Sequence, residues 1–147
     1  MSKAKLVLSN EQLEEAFFDS SWLIGIMAPA KDYQLCWNLN RALGFNFRAN
    51  NELEICLESK QKKFYFTVFE FEEPTKTVWH YIFNNHYKAE FLLPELKNVD
   101  YIWMLKGDFY QQSEVRLLMD QIREVPSVQL VTLLKPDELK NKRNLIF

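Results

Sequence analysis

Glycine is scarce, for the 147-residue chain has only Gly25, Gly44 and Gly107. Walker and dinucleotide-binding loops need several glycines close together, so that backbone amides approach a phosphate without interference from Cβ. Neither loop can be written here. Histidine is equally thin. His80 and His86 share a face if one strand carries both, but they then stand about 20 Å apart at roughly 3.3 Å per residue, too far to hold one metal. HExxH and paired CxxC are both missing, so neither metal nor cofactor is expected. The two cysteines, Cys36 and Cys56, form no framework and read as reduced thiols. Cys36, on an amphipathic stretch, reads as a packed hydrophobe. No G-x-S-x-G elbow occurs for a nucleophilic serine. No apolar run is long enough to span a bilayer. Met1 to Lys5 leads into only three apolar residues, too few for a signal peptide, and the expected compartment is the cytoplasm. An excess of charge of one sign is also lacking: 18 basic against 20 acidic residues give no electrostatic reason to expect nucleic acid or an anionic membrane as partner.

What is present is a strong apolar and aromatic complement: 48% hydrophobic residues and 15% aromatic, with twelve Phe, six Tyr and four Trp to bury or present. The length suits one domain, residues 1–147, with a short C-terminal tail from about residue 136. No linker or repeat divides it.

Lys3 to Leu8 suits a short strand. Ser9 and Gln12 have capping-box spacing for a helix to about Phe18, with Leu13, Ala16 and Phe17 on its inner face. Trp22 to Met27 reads as a buried strand closed by Pro29. Lys31 to Leu43 is the clearest helix. Leu35, Leu39, Ala42 and Leu43 make its stripe, Cys36 and Trp37 widen it, and Gly44 caps it. Leu53 to Leu57 alternates with polar residues as a half-wet strand. Lys62 to Phe71 and Lys76 to Asn84 flank Glu72-Glu73-Pro74-Thr75 as a long hairpin. If Glu72 pairs with Lys76, then Phe69 faces Trp79, Thr67 faces Tyr81 and Tyr65 faces Phe83. Both faces of this hairpin are substantially apolar. Val99 to Leu105 reads as a strand covered on both sides. Ser113 caps a helix to about Val125, and Val128 to Leu134 is a last strand. Strand, helix and strand make a βαβ unit, and Trp22–Met27, the Lys31 helix and the Leu53 strand suggest a second. The fold expected is therefore α+β. A mixed sheet carries a long antiparallel hairpin, with two main helices on one face, ferredoxin-like with an inserted hairpin.

Leu93-Pro94-Glu95, followed by Val99-Asp100-Tyr101, resembles the signature of a bacterial family named for its IPExxxVDY motif, with leucine here in place of isoleucine. The similarity extends to Lys31–Trp37 and to Asn144–Phe147. It implies a bacterial soluble protein and brings no reaction with it.

Carboxylates are the remaining chemistry. Glu95 and Asp100, joined by Asp108 at the far end of the adjacent strand, are the residues an enzyme reading would use as an acid–base set. The plainer reading has Pro94 fixing a turn, Glu95 and Asp100 bonding local backbone, and Tyr101 packing inward. The tail, with its apolar Leu145-Ile146-Phe147, reads as docked on the core or as a peptide offered to a partner. Two helices cannot dry both faces of such a sheet. The leading expectation is thus a non-catalytic module that binds another protein or its own copy, through Tyr65, Phe69, Trp79, Tyr81 and Phe83. A ligand-sensing domain of ferredoxin-like type is a third reading, by analogy of fold alone.

Overall fold

The computed structural model describes residues 10–59, 61–87 and 89–147. The strand expected over Lys3–Leu8 and the Ser9 cap lie outside these residues. In chain order the elements are α1 (Asn10–Phe18), β1 (Ser21–Met27), α2 (Asp32–Leu43), β2 (Arg48–Ser59), β3 (Lys62–Glu73), β4 (Val78–Asn84), β5 (His86–Tyr87), β6 (Glu90–Phe91), β7 (Tyr101–Lys106), α3 (Gln112–Arg123) and β8 (Leu130–Leu134). Short 3-10 turns occupy Pro94–Leu96, Pro136–Glu138 and Lys142–Leu145.

Six strands form one sheet in the order β2-β3-β4-β7-β1-β8, and β5 and β6 form a small ribbon. Every neighbouring pair in the large sheet is antiparallel. The parallel relationships lie between strands that are not neighbours. Helix α3 joins β7 to β8 with β1 between them, and α2 joins β1 to β2 across the width of the sheet. The order β4-β7-β1-β8 is the split βαβ arrangement of a ferredoxin-like sheet. The inserted hairpin that widens it is β2–β3, rather than the β3–β4 pair to which the sequence pointed.

Helices α2 and α3 close one face. Leu35, Cys36 and Leu39 from α2, and Val115, Leu118, Met119 and Ile122 from α3, pack on Ile24, Ile26, Phe69, Ile82, Trp103 and Leu105. Gly44 ends α2 at φ 70°, its N–H donating to the Asn40 carbonyl at 2.9 Å, a conformation that a residue with Cβ adopts only under strain. α3 begins before Ser113: the Glu114 carboxylate accepts the Gln111 N–H at 2.7 Å, leaving Gln111 as the cap.

The β3–β4 register differs from that expected. Glu72 pairs with Trp79, Glu70 with Tyr81, Phe69 with Ile82 and Val68 with Phe83. The turn is Pro74-Thr75-Lys76-Thr77, with Thr77 at φ 50° and a Lys76–Glu73 ion pair of 3.3 Å across it. Moving β4 by an odd number of residues exchanges its faces. Phe69 and His80 therefore turn toward the helices, while Val68, Tyr81 and Phe83 turn away.

The second face is closed as well. Phe18 of α1, Leu92 and Leu93 ahead of the Pro94 turn, Val99, Leu139 and Leu145 pack on Leu23, Phe66, Val68, Tyr81, Phe83, Ile102 and Met104. Phe17, not Leu13 or Ala16, is the other inner residue of α1, since Leu13 and Ala16 are exposed. The tail docks on its own core: Leu145 is fully buried and the Phe147 ring lies against Tyr81, Phe83 and Phe17. Among the described residues no helix is long and apolar enough to cross a membrane.

Candidate functional site

The signature segment is a strap across the second face, and Asn85 organises it. The Asn85 N–H donates to the Asp100 carbonyl at 3.0 Å, and its carbonyl accepts from Leu92 N–H at 2.6 Å. Its side-chain amide donates to the Leu96 and Val99 carbonyls, both at 2.8 Å, and its Oδ1 accepts from Leu93 N–H at 2.7 Å. One fully buried asparagine thus satisfies its own polar groups and pins both ends of the strap.

Each polar residue of the signature is committed to backbone. The Glu95 carboxylate accepts the N–H of Asn141 at 2.8 Å and its Nδ2 at 2.9 Å, latching the tail. Partial burial works to raise its pKa, but the Asn141 bonds outweigh that and hold it below the usual range. Asp100 Oδ2 accepts from Ala28 N–H at 2.8 Å, and its Oδ1 lies 3.4 Å from His86 Nε2. The Tyr101 hydroxyl donates to the Ala30 carbonyl. Burial pushes that hydroxyl's pKa up, with Asp32 and Asp100 adding to it. Pro94 opens the 3-10 turn, and Val99 packs into the core.

The enzyme reading required these carboxylates to meet. Asp100 precedes β7 and Asp108 follows it, so the length of the strand, roughly 20 Å at 3.3 Å per residue, lies between them. Asp108 borders a separate shallow cavity beside Gly107 and Gln111. Glu95 points to the tail. A cavity of about 450 Å³ does open beside Asp100, lined also by Lys31, Asp32, Asn84, His86 and Tyr101. Its carboxylates are paired internally: besides the Asp100 bonds, Asn84 Nδ2 donates to Asp32 Oδ2 at 2.8 Å, and Tyr33 N–H to Asp32 Oδ1 at 2.6 Å. Among the described residues no three His, Cys, Asp or Glu side chains are placed to hold a metal ion.

The two histidines do not share a strand, because β4 ends at Asn84. His86 is exposed, whereas His80 is wholly buried in a polar network that the sequence did not disclose. Trp103 Nε1–H donates to His80 Nδ1 at 3.0 Å, so the proton of the neutral ring is on Nε2, which donates to Glu73 Oε1 at 2.6 Å. The Tyr110 hydroxyl donates to the same oxygen at 2.6 Å. Burial pulls the His80 pKa down against the pull of Glu73. For Glu73 burial acts upward, yet the bonds from His80 and Tyr110 carry its pKa down to about 2. The Phe45 and Phe71 rings lie against His80, and Lys76 reaches the Glu73 end from the surface. Cys36 is buried, its thiol pushed up by burial and then by Asp32.

The expected interaction residues do not form one surface. Phe69, Tyr81 and Phe83 are buried. Tyr65 and Trp79 are exposed but lie on opposite faces: Tyr65 pairs with Cys56, and Trp79 stacks on Tyr81. Two exposed aromatics stand together instead on α2. Trp37, expected in the buried stripe, is 59% exposed, and Tyr33 is 58% exposed. The Arg41 guanidinium stands 5.2 Å from the Trp37 ring centre. Tyr33, Trp37 and Arg41 recur every four residues and therefore share one side of the helix. With Ala30, Gln34, Asn38 and Ser127, the two aromatics line a groove of about 650 Å³. The spacing was readable: Trp37 lies two residues from Leu35 and Leu39, which turns it well away from their stripe.

No family model, curated protein or solved structure matches this chain.

Proposed function

We propose that the protein is a non-catalytic binding module that recognises another protein through the solvent side of α2. The observation that carries this is the Tyr33–Trp37–Arg41 stripe. Tyrosine, tryptophan and arginine are the side chains that dominate binding energy at protein interfaces. Here they stand together on a helix face that a monomer ordinarily gives to charged residues. The surface of the groove beside them is mostly apolar, and exposed Arg41 stands over the Trp37 ring. Its complement is an apolar segment of a partner with acidic residues at its margin. The sheet faces themselves need no partner, because α1, the strap and the tail dry the face that α2 and α3 leave.

A photo-crosslinking residue at Gln34, with a control at Glu58 on β2, tests the proposal in the host cell. The expected result is a discrete adduct from position 34 that vanishes in Trp37→Ala and Arg41→Glu backgrounds of unchanged melting temperature. An adduct that survives both substitutions, or appears equally from position 58, would sink the proposal.

A further inference from the structure

The side chains around the α2 groove carry protons that the fold leaves unspent. Among the described residues the Tyr33 hydroxyl, the Trp37 Nε1–H and the Gln34 Nε2–H donate to nothing, and Arg41 has no carboxylate partner. By contrast, the Trp22 and Trp103 indoles both donate within the chain, each at 3.0 Å. Acceptors in the groove are scarcer. Gln34 Oε1 already accepts the Lys31 N–H at 3.4 Å, and the carbonyls of residues 33–38 are committed to the helix. Asn38 gives an amide proton to the Pro126 carbonyl at 3.3 Å, which leaves its Oδ1 as an acceptor. The surface therefore offers aromatic rings and donors.

That balance separates the backbone conformations an occupant could have. A helix would bring no free carbonyls, because its own N–H groups take them. An extended strand would bring carbonyls together with N–H groups that also need partners. The groove is lined by helix, bend and turn residues, with no strand edge to pair them. A polyproline II segment brings a free carbonyl at every residue, and each proline in it has no N–H at all. The spacing agrees. Tyr33, Trp37 and Arg41 follow one another at about 6 Å along α2, and residues two apart in polyproline II are also about 6 Å apart.

We propose that the segment docking on α2 is a proline-rich polyproline II stretch that ends in an acidic residue. The proposal rests on the α2 reading above and names the class of partner for that same surface. Two prolines set two apart lie on Tyr33 and Trp37, and the Trp37 indole N–H donates to a carbonyl of the segment. A carboxylate two residues further on meets Arg41. Aromatic-lined grooves suit such segments because polyproline II is formed before binding and little conformational freedom is lost.

Titration of the whole chain, followed by the nuclear magnetic resonance of its indole N–H groups, tests this. The probe is a blocked peptide of six prolines followed by two glutamates. One control ends in two lysines instead, and another is a helical alanine–leucine peptide ending in the same glutamates. The proline–glutamate peptide is expected to bind with Kd below about 1 mM. It should move the Trp37 indole proton downfield and leave those of Trp22 and Trp103 in place. Trp37→Ala should weaken it about tenfold or more, and Arg41→Glu should make the lysine-ended peptide the better ligand. A helical peptide that binds more tightly, or a Trp37 indole unmoved by either proline peptide, overturns the polyproline proposal. So does an Arg41→Glu chain that keeps the parent's preference. If the crosslink from position 34 persists in those cases, the α2 docking surface stands and only the class of partner is wrong; loss of that crosslink removes the surface itself.

Discussion

His80 and Asn85 show how much one buried polar side chain can hold. Replacing Asn85 by alanine strands the Leu93 N–H and the Val99 carbonyl, and takes from the Leu96 carbonyl one of its two bonds. Unpaired buried groups cost roughly 1–3 kcal/mol each, so a loss of about 3 kcal/mol or more in urea unfolding is expected. The His80 network makes the fold acid-sensitive, and its sign is definite. Between pH 6.5 and the lowered folded value, the unfolded chain takes up a proton that folded His80 refuses, so stability declines as pH falls. Glu73 adds a second decline. Its contribution is complete above 4.5 and lost as pH falls toward about 2. Urea midpoints measured against pH should fall from near neutrality downward, and Glu73→Gln should flatten the part below 4.5. An acid limb equally steep in that variant would remove Glu73 as its cause. Neither residue advertised its role in the sequence. The side-chain partners of Asn85 lie 8 to 14 residues away, and Trp103 lies 23 residues from His80, separations with no local periodicity to mark them.

At the scale of elements, periodicity located most helices and strands to within a few residues, because an apolar stripe or an alternation is a local property. It misjudged the β3–β4 turn. Lys76 looks like the start of a strand, yet it stands in the turn, paired with Glu73 and set 4.8 Å from the Phe109 ring centre. The strap escaped detection as a covering layer because it is a short 3-10 turn and loop without a period, whereas docking of the tail on the core was one of the two readings its apolar end offered. Their weight is testable. Removing Asn144–Phe147 takes away buried Leu145, the 2.7 Å bond from Asn144 to the Leu92 carbonyl and the Phe147 ring contacts. A penalty of about 3–5 kcal/mol, comparable to a large core truncation, is expected in denaturant unfolding. Glu95→Ala should cost less, about 1–3 kcal/mol, since it unlatches Asn141 and leaves the leucines in place. The two losses should fall short of additive because they release the same layer.

On the scale of the whole molecule, the α+β class and the two-helix face were legible, while the closure of the other face was not. Surplus apolar strand surface argued for a partner across the sheet. The structure spends that surface internally, and the exposed Tyr33–Trp37–Arg41 stripe of α2 lies outside it. The two faces also differ in kind, one closed by regular helices and the other by irregular segments. Amide exchange should divide accordingly: the strap and tail opening together at low cost, and β1 and β7 exchanging only with global unfolding. Uniform protection across both layers would contradict that division.

The Glu95–Asn141 clasp has a consequence for biosynthesis. Everything from α1 through β8 can emerge and pair, with Asn85 already pinning the strap, while the tail that Glu95 latches has yet to dock. Until positions 139–147 have left the ribosome, the part of that face that Leu139, Leu145 and Phe147 cover, with Tyr81 and Phe83 in it, stays wet. The nascent chain therefore passes through a long interval as a half-covered sheet, the kind of species that chaperones intercept.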